Sequence, residues 1–185
     1  MPYKEAIQSV AAVTQYIGID WPGTTYYANK PDLIWDGTTI PLANNSVDCV
    51  LFTEVLEHLG DPLAVCTEIY RVLRPGGVLV GTTPFFWILH EVPNDMQRLS
   101  PYGLKRILEK SGFQTHEITG AGGWNTSLAQ FICMYIGFGV KNRLLRKALK
   151  LLCYFPVLLL VKTDRETVEF RHTDMINSIA FNATK

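Results

Sequence analysis

Residues 36–84 read DGTTIPLANNSVDCVLFTEVLEHLGDPLAVCTEIYRVLRPGGVLVGTTP, and the fold is decided within them. Val47 to Thr53 (VDCVLFT) is apolar except at Asp48 and Thr53, the composition of a strand covered on both faces in a parallel sheet. Asp61 followed by Pro62 predicts a helix over Pro62 to Leu73, because aspartate accepts from an orphan N–H and proline, at the first helical position, has none to leave unpaired. Arg74-Pro75-Gly76-Gly77 then reads as a helix exit through positive φ angles rather than as a phosphate-binding loop. Val78 to Thr83 (VLVGTT), closed by Pro84, is expected to be the next buried strand. Strand, helix and strand in that order make the unit of a parallel sheet covered by helices, so the chain reads as an α/β protein.

The same pattern extends in both directions. Upstream, Lys4 to Val13 reads as a helix, Tyr16 to Asp20 (YIGID) as a short buried strand, and Leu33 to Trp35 as another that ends at Asp36-Gly37. Downstream, a loop runs to Leu99. Ser100 caps a helix that starts at Pro101 and carries Leu104, Ile107 and Leu108 on one face until Ser111-Gly112. Phe113 to Ile118 reads as an edge strand. Met175 to Asn182 fits strand and helix spacing equally, and its position favours a returning strand.

Composition narrows the class of protein. A chain of 185 residues, 48% hydrophobic and 18% charged, supports one domain with a core and excludes disorder and fibrous repeats. Seventeen basic residues balance seventeen acidic ones, so no global field draws the chain to nucleic acid. Cys49, Cys66, Cys133 and Cys153 form no C-x-x-C pair and read as reduced, buried thiols, with neither a disulfide framework nor a zinc knuckle. The N-terminal MPYKEAIQSVAAV lacks a long apolar run and does not read as a signal peptide. A cytoplasmic protein is expected.

The run 36–84 closely resembles the class I S-adenosylmethionine-dependent methyltransferases, especially the methyltransferase type 11 group. A strand ending in an acidic residue, D-x-x-x-x-P-L-x-x-x-S-x-D, V-L-E-H-L-x-D-P and R-V-L-R-P-G-G-x-L follow one another here in that group's order. His90 to Phe113 (HEVPNDMQRLSPYGLKRILEKSGF) is similar to the loop and helix after the fifth strand in a subset of these enzymes, and Ser178 to Lys185 (SIAFNATK) to the final antiparallel strand. The resemblance implies a Rossmann-like methyltransferase fold, mostly parallel with helices on both faces, and S-adenosylmethionine as cofactor. It implies transfer of a methyl group to a small-molecule, glycan or lipid-linked acceptor.

Site residues follow by the same route. Open α/β sheets bind nucleotides at the carboxyl ends of their strands, where Asp20 would accept from the ribose hydroxyls and Asp36, with Gly37, would meet the adenine. Asp36-Gly37 is equally the signature of an Asx-turn. Trp21 either flanks the cofactor or packs plainly. Thr53 and Glu54 are expected beside the methionine part of the cofactor. His58, His90 and Glu91 are candidate catalytic groups, should a hydroxyl acceptor need its proton removed, and Asp95 and Arg98 are candidate substrate-binding residues or a mutual ion pair. His90-Glu91 is not H-E-x-x-H, because Asn94 stands four residues on, and no metal is expected.

Two features depart from the resemblance. In the family the first strand ends in a glycine-rich G-x-G-x-G loop, which is not present here. Residues 1–15 are similar to the helix that follows that loop, so the first strand is expected to be missing. The chain then reads either as part of a longer enzyme or as a shortened, non-catalytic methyltransferase-like protein serving as a binding or membrane-associated module. The second feature is a basic, apolar insertion at about 124–163. From Ile118 to Thr163 there is no acidic residue but six basic ones, Lys141, Arg143, Arg146, Lys147, Lys150 and Lys162. Its two apolar runs are shorter than the roughly 18 to 20 residues a spanning helix needs, and Pro156 is expected to interrupt the second. The stretch 127–161 therefore reads as an interfacial segment at the inner face of a membrane, a lid over a lipid-like acceptor, or a homo-oligomer surface.

Overall fold

A computed structural model describes residues 3–10, 12–22, 30–164 and 170–185. The stretch that fixes the fold class forms the expected strand, helix and strand, but its first strand lies at an edge of the sheet with Cys49 and Leu51 exposed and only Phe52 buried, rather than covered on both faces. Strand β3 (Val47–Thr53) is followed by helix α2 (Pro62–Val72), and the Asp61 carboxylate accepts from Ala64 N–H at 3.0 Å. Helix α2 buries Val65, Cys66, Ile69 and Val72 against the sheet. It returns the chain into β4 (Leu73–Pro84), parallel to β3. After β4 come α3 (Pro101–Lys110), capped by Ser100 Oγ accepting from Gly103 N–H at 3.1 Å, then β5 (Gln114–Ala121) and β6 (Ser178–Thr184). The four-stranded sheet has order β3-β4-β6-β5, with β6 antiparallel to both neighbours and β5 at an edge.

The upstream elements are shorter than their sequences predict. Helix α1 covers only Lys4–Gln8, and Ser9 Oγ donates to Ala6 O at 2.6 Å, a local bond that competes with the helical ladder. Strands β1 (Ile19–Asp20) and β2 (Leu33–Ile34) form a separate parallel pair. Gly18 N–H donates to Asp32 Oδ2 at 2.7 Å, and Gly18 O accepts from Asp32 and Leu33. The preceding Tyr16 and Ile17 are therefore not drawn into a longer strand. Among the described residues no strand pairs with the free side of β3.

Three expectations need correction. Of the four cysteines read as buried, Cys66 is buried and Cys153 half-buried, while Cys49 and Cys133 are exposed. Arg74-Pro75-Gly76-Gly77 does not separate helix from strand, because it lies inside β4 at a shift of register between Val47 and Cys49. Gly76 has φ +77°, and the main chains of Gly76 and Gly77 exchange hydrogen bonds with Lys185 at 3.0 Å each, which draws the turn into the sheet. Gly77 is needed for closeness: a Cβ there would lie 2.8 Å from Arg74 O. Nor does Pro156 interrupt its helix. The insertion forms α4 (Trp124–Met134), a π-turn at Tyr135–Gly139 and α5 (Arg143–Thr163), which runs through Pro156. One proline removes one ladder N–H, while the Leu158, Leu159 and Leu160 turns continue beyond it.

The core lies between α2, α3 and the sheet, with Leu56, Cys66, Leu73, Leu79, Leu104, Leu108, Ile179 and Ala183 fully buried. The helical pair α4–α5 packs beside it differently. Helix α5 buries no residue, and Leu144, Leu151, Leu152 and Phe155 are all exposed. Asp164, beyond α5, accepts from Gly123 N–H (2.6 Å) and Thr126 N–H (2.7 Å) at the start of α4, capping one helix from the end of the other. No helix of the described residues is long and apolar enough to cross a membrane.

Candidate active site

Asp20 ends β1, Asp36 follows β2, Thr53 ends β3, and the loop 85–100 leaves β4. The expected residues thus sit where strand ends and loops present side chains beyond a parallel sheet. Asp20 Oδ1 accepts from Trp21 N–H at 2.7 Å. The Trp21 ring lies against Gly37: a Cβ added at Gly37 would be 2.4 Å from Trp21 Cζ3, and Gly37 has φ +84°. Glycine is therefore required on both counts. Asp36 forms the Asx-turn, its Oδ1 accepting from Thr38 N–H (2.8 Å), Thr38 Oγ1 (2.8 Å) and Thr39 N–H (3.0 Å). Those bonds hold its carboxyl below the usual carboxylate range.

Glu54 sits at the turn out of β3 with φ +52°, and Glu91 in the loop after β4 has φ +48°. Left-handed backbone at a glutamate is uncommon, and such outliers concentrate at functional sites. Glu54 Oε1 accepts from Thr82 Oγ1 at 2.8 Å, and Glu54 N–H donates to Thr82 O at 2.9 Å. The end of β3 is thereby fastened to β4.

The candidate catalytic residues come together around one the sequence reading passed over, Glu57. It lies in a 3₁₀ turn at Leu56–His58 and is 0% exposed. Its main-chain carbonyl accepts from Met96 and Gln97 N–H (2.9 and 3.2 Å), and Gln97 Nε2 donates to Leu56 O and Leu59 O. The loop after β4 is thus strapped across the turn. Glu57 Oε2 accepts from Thr83 Oγ1 at 3.5 Å, while Oε1 has no hydrogen-bond partner. Burial, more than the nearby Glu54 charge, pushes this carboxyl up. His58 Nε2 stands 3.7 Å and His90 Nε2 3.8 Å from Glu57 Oε1, and the two rings meet edge to face with centroids 4.8 Å apart. Glu91 Oε2 lies 3.8 Å from His58 Nε2 at the exposed rim. Among the described residues, Glu57, His58 and His90 form the one cluster with metal-binding donor spacing.

Asp95 and Arg98 are ion-paired, with Arg98 NH2 2.9 Å from Asp95 Oδ2 and a second contact from NH1 to Oδ1. The pair is enclosed rather than superficial, since the Asp95 side chain is 2% exposed. The Arg98 guanidinium holds the Asp95 carboxyl far below the usual range. Asp95 Oδ2 also accepts from His90 N–H at 3.1 Å and lies 3.4 Å from His90 Nδ1. The pair therefore positions His90. Beside the cluster, Phe86, Trp87, Phe131, Met134, Tyr135 and Phe138 line an open apolar groove of about 320 Å³ whose wall also contains Ile88. The Ile88 carbonyl faces His90 Nδ1 at 3.3 Å, so groove and cluster share a residue.

This architecture is the Rossmann-like fold of class I methyltransferases. A Thermotoga maritima protein described as an S-adenosylmethionine-dependent methyltransferase, possible histamine N-methyltransferase, superimposes with TM-score 0.50 at 14% identity, covering 83% of this chain and 63% of that one. Residues 6–81 match the methyltransferase domain family, and the resemblance drawn from residues 36–84 is borne out there. A probable S-adenosylmethionine-dependent methyltransferase of Mycolicibacterium smegmatis is 36% identical over 87 residues, 44% of this chain and 34% of that protein. A ubiquinone/menaquinone biosynthesis C-methyltransferase of Desulfotalea psychrophila is 36% identical over 69 residues, 36% of this chain and 24% of that protein. The chain spans about a third or less of these relatives.

Proposed function

We propose that the chain is a methyltransferase that takes its methyl group from S-adenosylmethionine and delivers it to an acceptor with an apolar portion, a lipid-linked molecule first among them. The observation that carries this reading is the apolar groove, which shares Ile88 with the Glu57, His58 and His90 cluster. An acceptor seated by its apolar part would bring its polar end to those groups.

The residues present suit the cofactor. The slot over Gly37 takes a flat ring, as Trp21 demonstrates, and an adenine has that flat shape. In this reading Asp20, at the end of β1, accepts from the ribose hydroxyls, and Thr53 and Glu54 lie on the methionine side. When bound, S-adenosylmethionine supplies a sulfonium methyl group that the acceptor attacks in line, with S-adenosylhomocysteine as the leaving group. The chain's own task is to orient the acceptor and exclude water. For a hydroxyl acceptor, Glu57 with His58 and His90 would take the proton.

The exposed apolar residues of α4–α5, set among Lys141, Arg143, Arg146, Lys147 and Lys150, fit an anionic membrane surface that would present such an acceptor. The test is transfer of labelled methyl from S-adenosylmethionine to lipid-linked acceptors in anionic vesicles, with glycans and small molecules in parallel. Incorporation into the lipid fraction is expected. Replacing both Lys147 and Lys150 by alanine should cut vesicle partition about thirty-fold, from roughly 1 kcal/mol per basic residue. A folded chain that binds S-adenosylmethionine yet labels no acceptor would contradict catalysis and leave the binding-module reading in its place.

A further inference from the structure

We infer that Glu57, His58 and His90 form a binding site for one divalent transition-metal ion of the zinc type. The argument rests on which atoms carry protons. A carbonyl only accepts hydrogen bonds, so the 3.1 Å contact of His58 Nδ1 with Asn94 O means that Nδ1 donates. In the neutral ring Nε2 is then a bare lone pair. His90 Nδ1 faces only acceptors, Ile88 O at 3.3 Å and Asp95 Oδ2 at 3.4 Å, so in the neutral ring its proton sits on Nδ1 and Nε2 carries the lone pair. The two Nε2 atoms lie 3.7 and 3.8 Å from Glu57 Oε1. That oxygen is fully buried and has no hydrogen-bond partner. Three acceptors converge on one spot, and a cation there satisfies all of them.

Ligands about 2.1 Å from zinc in tetrahedral geometry stand about 3.4 Å from one another; the three donor atoms here lie within 4.8 Å of one another, so binding draws the two imidazoles together around the ion. Two imidazoles and one carboxylate form a three-ligand set that leaves a position open, as in catalytic rather than closed structural sites. Imidazole nitrogen favours zinc and its transition-metal neighbours over magnesium. The outer shell is built too. Asp95, itself fixed by Arg98, faces His90 Nδ1, and the Asn94 carbonyl faces His58 Nδ1, the partners that orient ligating histidines. This inference does not rest on the methyl-transfer reading, and an ion held by these three residues would replace the direct proton removal assigned to them there.

The test is titration of the whole chain, after metal removal and with its cysteines alkylated, with Zn²⁺ by calorimetry and with Co²⁺ by visible absorption. One equivalent of Zn²⁺ is expected, with tetrahedral Co²⁺ bands and no thiolate charge-transfer band, and no response to Mg²⁺. His58→Ala and His90→Ala, both at partly exposed positions, should each weaken Zn²⁺ binding by more than about 100-fold, and Asp95→Asn by roughly 10- to 100-fold. Circular dichroism checks that the variants are folded. Absence of binding by the folded wild-type chain, or equal binding by the folded histidine variants, would overturn the inference. S-adenosylmethionine titrated into the same preparations separates this result from the fate of the donor site.

Discussion

Gly81 shows how a single residue can decide the packing of this sheet. It lies in the middle of β4, where a Cβ would come 2.4 Å from Phe181 Cζ and 2.5 Å from Phe52 O. One of those neighbours is main chain and cannot swing away. Gly81→Ala should therefore destabilise the fold by about 1 to 3 kcal/mol through overpacking, read as a lower urea midpoint at unchanged slope. An unchanged midpoint would show that the close approach is not there. At this scale the sequence was legible where chemistry is local. Asp61 and Ser100 cap helices because capping needs only the adjacent N–H groups, and Asp36-Gly37 forms its turn for the same reason. Glu57 was not legible, because its burial comes from Met96 and Gln97, some forty residues on. The available signal was its place between Leu56 and Leu59 just after the end of an apolar strand. His58, His90 and Glu91 could be named one by one, but their meeting is a property of the folded loop.

At the scale of elements, an ion pair within α2 fastens that helix by hydrogen bonds to the loop that precedes β3. Arg71 Nε and NH2 donate to the two Glu68 carboxylate oxygens at 2.8 Å each, and its guanidinium also donates to Ile40 O, Leu42 O and Asn44 Oδ1. Ile40 N–H donates to Glu68 Oε2 at 3.0 Å. These bonds, Arg71 foremost, hold the Glu68 carboxyl below its ordinary value. A depressed folded value stabilises the protein above the unfolded carboxylate value of about 4.3, and the gain is lost as the pH falls through the folded value. Arg71→Ala should cost about 1 to 3 kcal/mol at neutral pH and flatten the decline in stability below that point. An unchanged acid limb in thermal melts would contradict it. Strand β3 and helix α3 could be read at their observed boundaries because apolar runs and caps coincide there. Strand β1 came out shorter than its apolar run, since the Asp32 side chain and main chain both bond to Gly18 at the point where the pairing with β2 begins. Helix α5 came out longer than predicted, because one proline weakens a helix without ending it.

For the whole molecule, the alternation of strand and helix identified the α/β class, and four motifs in order identified the type of α/β fold. The sheet order could not be read from periodicity, because it depends on where β6 returns, and that stretch fitted helix and strand equally. The insertion was legible as basic and apolar, but the cap from Asp164 onto α4 joins residues some forty positions apart and left no local mark. The central claim is that the strand ends hold S-adenosylmethionine, with Asp20 as an anchoring carboxylate. Isothermal titration of the 185-residue chain with S-adenosylmethionine and S-adenosylhomocysteine, beside Asp20→Ala, tests it most directly. The account predicts saturable binding of both, weakened about 10- to 100-fold in the variant by loss of hydrogen bonds to a charged group. A folded wild-type chain that binds neither, or an Asp20→Ala chain that binds them equally well, would contradict it.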